Sequence, residues 1–146
     1  MSPAVIQSKL AVPPLGERLA ARPRVSGLVA ELLERHPLVL VTATAGAGKT
    51  TAVVQGAALL GRPVAWLTLD DTDAAPGRLL TYLEAALSRV VPAAGEVATN
   101  AMAARIPHAE AAGLLAEATA GVPMLLVVDG LERLAEQTAE IGRAHV

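Results

Sequence analysis

The 146-residue chain has no cysteine and no phenylalanine, one tryptophan and one tyrosine. Without cysteine there can be no disulfides, no thiolate metal sites and no cysteine nucleophile. That composition suits a reducing cytoplasm, the compartment expected here. Trp66 and Tyr82 are the only aromatic rings, so a core must be built from Leu, Val and some of the 31 alanines. Lysine is almost missing too: Lys9 and Lys49 stand alone and every other cation is arginine. With a formal net charge of −2, the chain lacks the positive excess that holds a protein on a phosphate backbone. Uninterrupted apolar runs are short. The most hydropathic stretch, residues 36–61, is broken by Lys49 and diluted by Gly46, Gly48 and Gly56, whereas a membrane-spanning helix needs about 20 predominantly apolar residues. Residues 1–14 carry three prolines and no apolar signal-peptide core. What is present, 53% hydrophobic and 18% charged residues, describes a folded chain of one-domain length.

The patterning alternates between strand and helix. Residues 1–23 are proline-rich and read as an extended segment. Ser26 is placed to cap a helix through Arg35 with Leu28, Leu32 and Leu33 inward, and Pro37 stops it. Leu38–Ala43 is a short β-branched run of the kind that forms a buried parallel strand. A glycine loop follows, then a helix from Lys49 to Leu60 with Gly61 at its C-cap and Pro63 beyond. Val64–Leu69 is a second strand and Asp70, Asp71 and Asp73 form an acidic turn. Pro76 opens a helix in which Leu79, Leu80, Leu83, Ala86, Leu87 and Val90 recur at helical spacing. Residues 93–107 are Ala-rich and weakly patterned and read as a linker. His108–Thr119 is helical, Met124–Val128 is a third buried strand ending at Asp129, and Leu131–Ala139 begins another helix. Strands separated by helical patterns predict an α/β unit with a parallel sheet.

The chemistry concentrates at Ala43-Thr44-Ala45-Gly46-Ala47-Gly48-Lys49-Thr50. A glycine loop between a strand and a helix is the setting of a phosphate-binding loop, or Walker A motif. Gly46 and Gly48 permit backbone conformations closed to other residues, so that N–H groups can approach phosphate oxygens. With Ala47 between them they form an anion nest at a helix N-terminus. Lys49 would reach the β and γ phosphates, the Thr50 hydroxyl would ligate Mg²⁺, and Thr51 is placed for the α phosphate. Ala43 stands where the pattern usually has its first glycine, a position farther from the phosphates. An ordinary glycine turn is a poor alternative, because Gly-x-Gly-Lys-Thr is rare by chance at average glycine usage of about 7%.

About 80 residues on, Leu125–Val128 ends in Asp129, the form of a Walker B strand whose Asp holds Mg²⁺. Many buried strands end in Asp, so the motif gains weight from the loop before it. With a strand between the two motifs, the arrangement resembles the additional-strand class of P-loop ATPases, many of which place a water-activating acid after the Walker B Asp; this chain has Gly130 there. Glu132 is nearby and reads more simply as an acid on a helix surface, so any hydrolysis is expected to be slow and no catalytic residue is assigned. The acidic turn reads as solvated, with an Asp capping the Pro76 helix, rather than as a metal cluster. His36 and His108 have no partner at ligand spacing.

Several segments together resemble the ATPase module of large LuxR-type transcriptional regulators of the maltose-regulon-activator type, members of the STAND class of P-loop ATPases. They are Ser8-Lys9-Leu10, Ala21-Arg22-Pro23-Arg24, Val39–Thr51, Ala65-Trp66-Leu67-Thr68-Leu69-Asp70, Arg78-Leu79-Leu80-Thr81-Tyr82-Leu83 and Leu126–Asp129. The Trp-Leu-x-Leu-Asp stretch and the Leu-x-x-Tyr-Leu helix are the more discriminating of these. The resemblance implies a three-layer αβα P-loop NTPase fold with a parallel sheet, of which about three strands are present. It also implies ATP or ADP with Mg²⁺ as ligands, and a switch in which ATP plus an inducer permits self-association of the full-length protein and promoter activation. Arg22 and Arg24 become candidates for a place near the nucleotide, with a surface turn as the alternative. In that family the DNA-binding helix-turn-helix lies in a C-terminal region not contained in these residues.

The expected organisation is an extended segment over residues 1–23, a partial NTPase domain over 24–140, and a tail over 141–146. The tail lacks helical patterning and matches a translated sequencing adapter, so it is set aside from the fold. Two other readings stay open: a P-loop kinase acting on a small molecule, and a signalling ATPase of the same class with a protein-binding output.

Overall fold

The computed structural model describes residues 4–14, 23–36, 39 and 48–134. Of the predicted Leu38–Ala43 strand only Val39 is described, and Gly46, Ala47, Arg22 and the 141–146 tail lie outside the described residues. The chain is α/β. Its elements are α1 (Pro23–Arg35), α2 (Lys49–Leu60), β1 (Val64–Thr68), α3 (Pro76–Ser88), α4 (Val97–Ala103), α5 (His108–Thr119) and β2 (Leu125–Asp129). Short 3₁₀ turns occupy Gln7–Leu10, Asp71–Ala74 and Pro92–Ala94, and residues 131–134 start a further helical turn. Among the described residues no helix is long and apolar enough to cross a membrane.

The strands β1 and β2 pair in parallel, from Val64 opposite Leu125 to Thr68 opposite Asp129. This register brings both C-terminal ends to one edge of the sheet. There the ladder continues one residue further, with the Leu69 N–H donating to the Asp129 carbonyl at 2.8 Å. In β1, Ala65, Trp66 and Leu67 are all buried, as expected of a strand covered on both faces. Trp66 is 1% exposed, and its indole N–H donates to the Thr68 hydroxyl at 2.9 Å. A buried ring with its one polar atom satisfied combines a large apolar area with no desolvation penalty.

The core joins Leu67 and Leu69 to Leu80, Ala86 and Leu87 of α3, Ala98 and Ala101 of α4, and Ala111 and Leu115 of α5. Ala86, Ala98, Ala101 and Ala111 are buried where these helices meet the core, so small side chains share the core with leucines in a chain with two aromatic rings. The predicted 93–107 linker is instead the Pro92–Ala94 turn and α4. Its helical pattern is hidden because the buried positions are alanines, which carry little periodic signal. Glu84, itself buried, stabilises this region by accepting the backbone N–H groups of Ala98 and Thr99 and the Thr99 hydroxyl. It thereby caps α4 from a neighbouring helix, since α4 has no side-chain cap of its own.

Helix α1 starts earlier than predicted, with Pro23 in its first turn, so Ser26 lies inside the helix and is buried rather than acting as its cap. Its buried face is Ser26, Val29 and Ala30, and Leu28 points outward at 55% exposure. The reason is the partner helix. A Cβ on Gly56 of α2 would stand 2.6 Å from Val29 Cγ1, so α1 and α2 approach along a seam that admits only glycine there. Gly61 ends α2 in the left-handed conformation as expected, with its N–H donating to the Ala58 carbonyl.

The acidic turn departs furthest from its reading. Asp73 is wholly buried and accepts from Lys9 Nζ, from Arg78 Nε at 3.1 Å and from the Asp70 N–H at 2.9 Å. Asp70 completes a capping box on the 71–74 turn, whereas α3 has no side-chain cap. Lys9 also donates to Asp70 at 3.2 Å and lies 4.3 Å above the Tyr82 ring. Tyr82 Oη accepts the Ile6 N–H at 3.1 Å, and Arg89 donates to the Leu10 carbonyl at 3.1 Å. The turn is therefore a clamp that fixes residues 6–10 on α3, and the segment expected to be extended contains a 3₁₀ turn with Lys9 and Leu10 buried. Burial opposes the Lys9 charge, but hydrogen bonds and charge from Asp73 and Asp70 outweigh it and raise its pKa. The Thr72 hydroxyl, against some desolvation and with help from the Thr72 N–H and Lys9, lowers the Asp70 pKa to about 2.

Candidate functional site

Helix α2 begins directly after Gly48, whose φ of 77° is in the left-handed region. A side chain there is strained, which accounts for glycine at this position. The next two residues carry the loop's reactive groups. Thr50 Oγ1 donates to Asp129 Oδ2 at 2.9 Å. The two positions are 79 residues apart in sequence and meet because α2 starts where β2 ends. A hydroxyl beside a carboxylate, half-buried at a sheet's C-terminal edge, is a pair of hard oxygen donors. Mg²⁺ accepts such donors while keeping several waters or phosphate oxygens of its own. The chemistry of the Thr50 hydroxyl and the Asp129 carboxylate fits such an ion. Among the described residues no group of three or more His, Cys, Asp or Glu side chains forms a metal cluster.

Lys49 lies beside this pair. Its Nζ is 3.3 Å from Glu132 Oε1, with side-chain exposures of 23% and 56%. The Glu132 carboxyl titrates below the usual carboxylate range. Its own backbone N–H is the main cause, opposed by slight desolvation and aided by Lys49. Glu132 is on the helix surface, as its position suggested, and it also contacts the loop lysine, which sequence spacing did not reveal. Only the 131–134 turn after β2 brings it back over the sheet edge.

Gly130 follows Asp129 directly. Its φ is 94°, and a Cβ there would stand 2.7 Å from the Leu69 carbonyl oxygen. The neighbouring strand end thus fills the space that a side chain at 130 would need. Gly130→Ala is expected to lower unfolding free energy by about 1–3 kcal/mol through left-handed strain and this clash. The check is a urea midpoint, and an unchanged midpoint would show that the contact imposes no constraint.

Of the remaining predicted residues, Thr51 is half-buried in the first turn of α2, and Arg24 is exposed on the first turn of α1. His36 and His108 are both exposed. The structure therefore brings together Lys49, Thr50, Asp129 and Glu132 around one sheet edge, with Gly48 at its rim.

Searched against known proteins, the chain is 34% identical over 134 residues to an HTH-type transcriptional regulator MalT of Cronobacter sakazakii, an alignment covering 86% of this chain. The chain spans 14% of that relative's length. This similarity supports the resemblance to large LuxR-type regulators. No family model matches, and no solved structure matches.

Proposed function

We propose that these residues are the ATP-binding switch module of a LuxR-type transcriptional regulator. The observation that carries the reading is the 2.9 Å bond between Thr50 and Asp129, which joins the end of the glycine loop to the end of the β2 strand. Lys49 would take the β and γ phosphate charge. The backbone N–H groups around Gly46, Ala47 and Gly48 would hold phosphate oxygens, and Thr51 would lie by the α phosphate. Thr50 and Asp129 would hold Mg²⁺, which supplies charge neutralisation between phosphate oxygens. A nucleotide works as a switch by contacting one domain arrangement better than another. In this reading the protein is cytoplasmic, the full-length form self-associates, and promoter DNA is contacted by a helix-turn-helix outside these residues. Any ATP hydrolysis would be slow.

Calorimetric titration with ATP, with and without magnesium, tests the reading. Saturable binding that strengthens with magnesium is expected. Asp129→Asn is expected to lose roughly tenfold of the magnesium-dependent gain, the worth of one charge-assisted contact. Magnesium dependence equal to that of the parent would remove Asp129 from the metal site.

A further inference from the structure

Lys49 opens α2 at the sheet edge, and the carboxylates of Asp129 and Glu132 lie beside it. Asp129 is engaged by Thr50, and Glu132 contacts Lys49 at 3.3 Å. Lys49 and Arg133 balance Asp129 and Glu132 in charge, so a polyphosphate entering the edge competes with Glu132 for the lysine rather than with the edge as a whole. Glu132 is more than half exposed and sits on the turn after β2, so its carboxylate has solvent to move into when it leaves Lys49. We propose that Glu132 is an internal stand-in for phosphate: its carboxylate occupies Lys49 in the nucleotide-free protein and must be displaced when a nucleotide binds. This rests on the nucleotide reading above and adds an affinity-setting residue to it. Glu132 acts through Lys49 and is not assigned a part in bond cleavage. The Gly130 geometry favours the arrangement, because the position next to Asp129 has no room for an acid and the next carboxylate along the chain comes from one turn further.

An exposed ion pair of this kind is worth up to about fivefold in an equilibrium constant, which sets the scale of the test. Glu132→Gln keeps shape and removes charge. Two measurements on the same variant are needed. The first is the rate at which an amine-acetylating reagent modifies Lys49 without nucleotide, read by mass spectrometry against Lys9, the other lysine and a buried one. The variant is expected to raise the Lys49 rate about two- to fivefold. The second is ADP affinity, chosen because ADP has no γ phosphate and separates occupancy from any hydrolytic role. Glu132→Gln is expected to tighten ADP about two- to fivefold, and Lys49→Ala is expected to abolish that gain. Unchanged acetylation or unchanged ADP affinity in the variant, with a parent that binds ADP, overturns the stand-in and leaves the nucleotide reading intact. A parent that binds no nucleotide, with Lys49 acetylation still responding to Glu132→Gln, overturns the nucleotide reading and the displacement with it, leaving only an ion pair.

Discussion

Lys49→Ala is expected to weaken magnesium–ATP binding ten- to a hundredfold in a chain that stays folded. A charge-assisted hydrogen bond is worth about 1.5–3 kcal/mol, and each 1.4 kcal/mol is a factor of about ten in affinity. The folded state has little to lose. The partner of Lys49 is the half-exposed Glu132, and surface ion pairs contribute about 0–1 kcal/mol to stability. Binding and folding are thus separable at this residue. Calorimetry gives the affinity, and a denaturation curve on the same sample gives the stability. Equal affinity in mutant and parent, at equal stability, would refute the assignment of residues 43–50 to phosphate binding.

Asp73→Ala is expected to have the largest effect on stability, about 3–5 kcal/mol, the cost of removing one partner from a buried ion pair. Asp73 is wholly buried and accepts from Lys9, Arg78 and the Asp70 N–H. Its removal leaves the Lys9 ammonium, 9% exposed at the side chain, with Asp70 and the Tyr82 ring alone. It also opens the capping box of the 71–74 turn. Lys9→Met removes the charge that Asp73 neutralises, so the double variant is expected to recover part of the loss. Additive losses in that cycle would show that Lys9 and Asp73 are not coupled. The urea midpoint is the measurement in each case.

How much of this could be read in the sequence depended on the signal each element carries. The helix at 108–119 shows its full extent because His108 follows Pro107 and the pattern ends before Gly121. The two strands were legible as β-branched and Leu-rich runs, and the pairing of Thr50 with Asp129 was implied by two motifs that each make sense only beside the other. Other features were out of reach for definite reasons. Helix α4 buries Ala98 and Ala101, and alanines at every turn give no contrast between faces. Leu32 and Leu33 of α1 are half-buried, but Leu28 faces outward because Gly56, on another helix, sets the close approach at Val29 instead. Lys9 looked like one charge in a proline-rich segment, and the acids that bury it lie more than 60 residues away. Local charge patterning cannot show whether an acidic turn faces water or a cation from the other end of the chain. The contact between Glu132 and Lys49 depends on a turn direction set by Gly130, and side-chain chemistry alone does not encode it.

The close approach at Gly130 also restricts how this protein can change over generations. Any single-base change in a glycine codon that alters the amino acid adds a Cβ atom, and here that atom meets the Leu69 carbonyl oxygen at 2.7 Å. A lineage starting from this chain therefore reaches a side chain at 130 only at a cost in stability, because the β1 end at Leu69 has to shift. Position 132 carries no such restriction and can trade its acid freely. Natural variation along this edge should accordingly be stepped, with residue 130 held still while residue 132, and with it the charge facing Lys49, drifts.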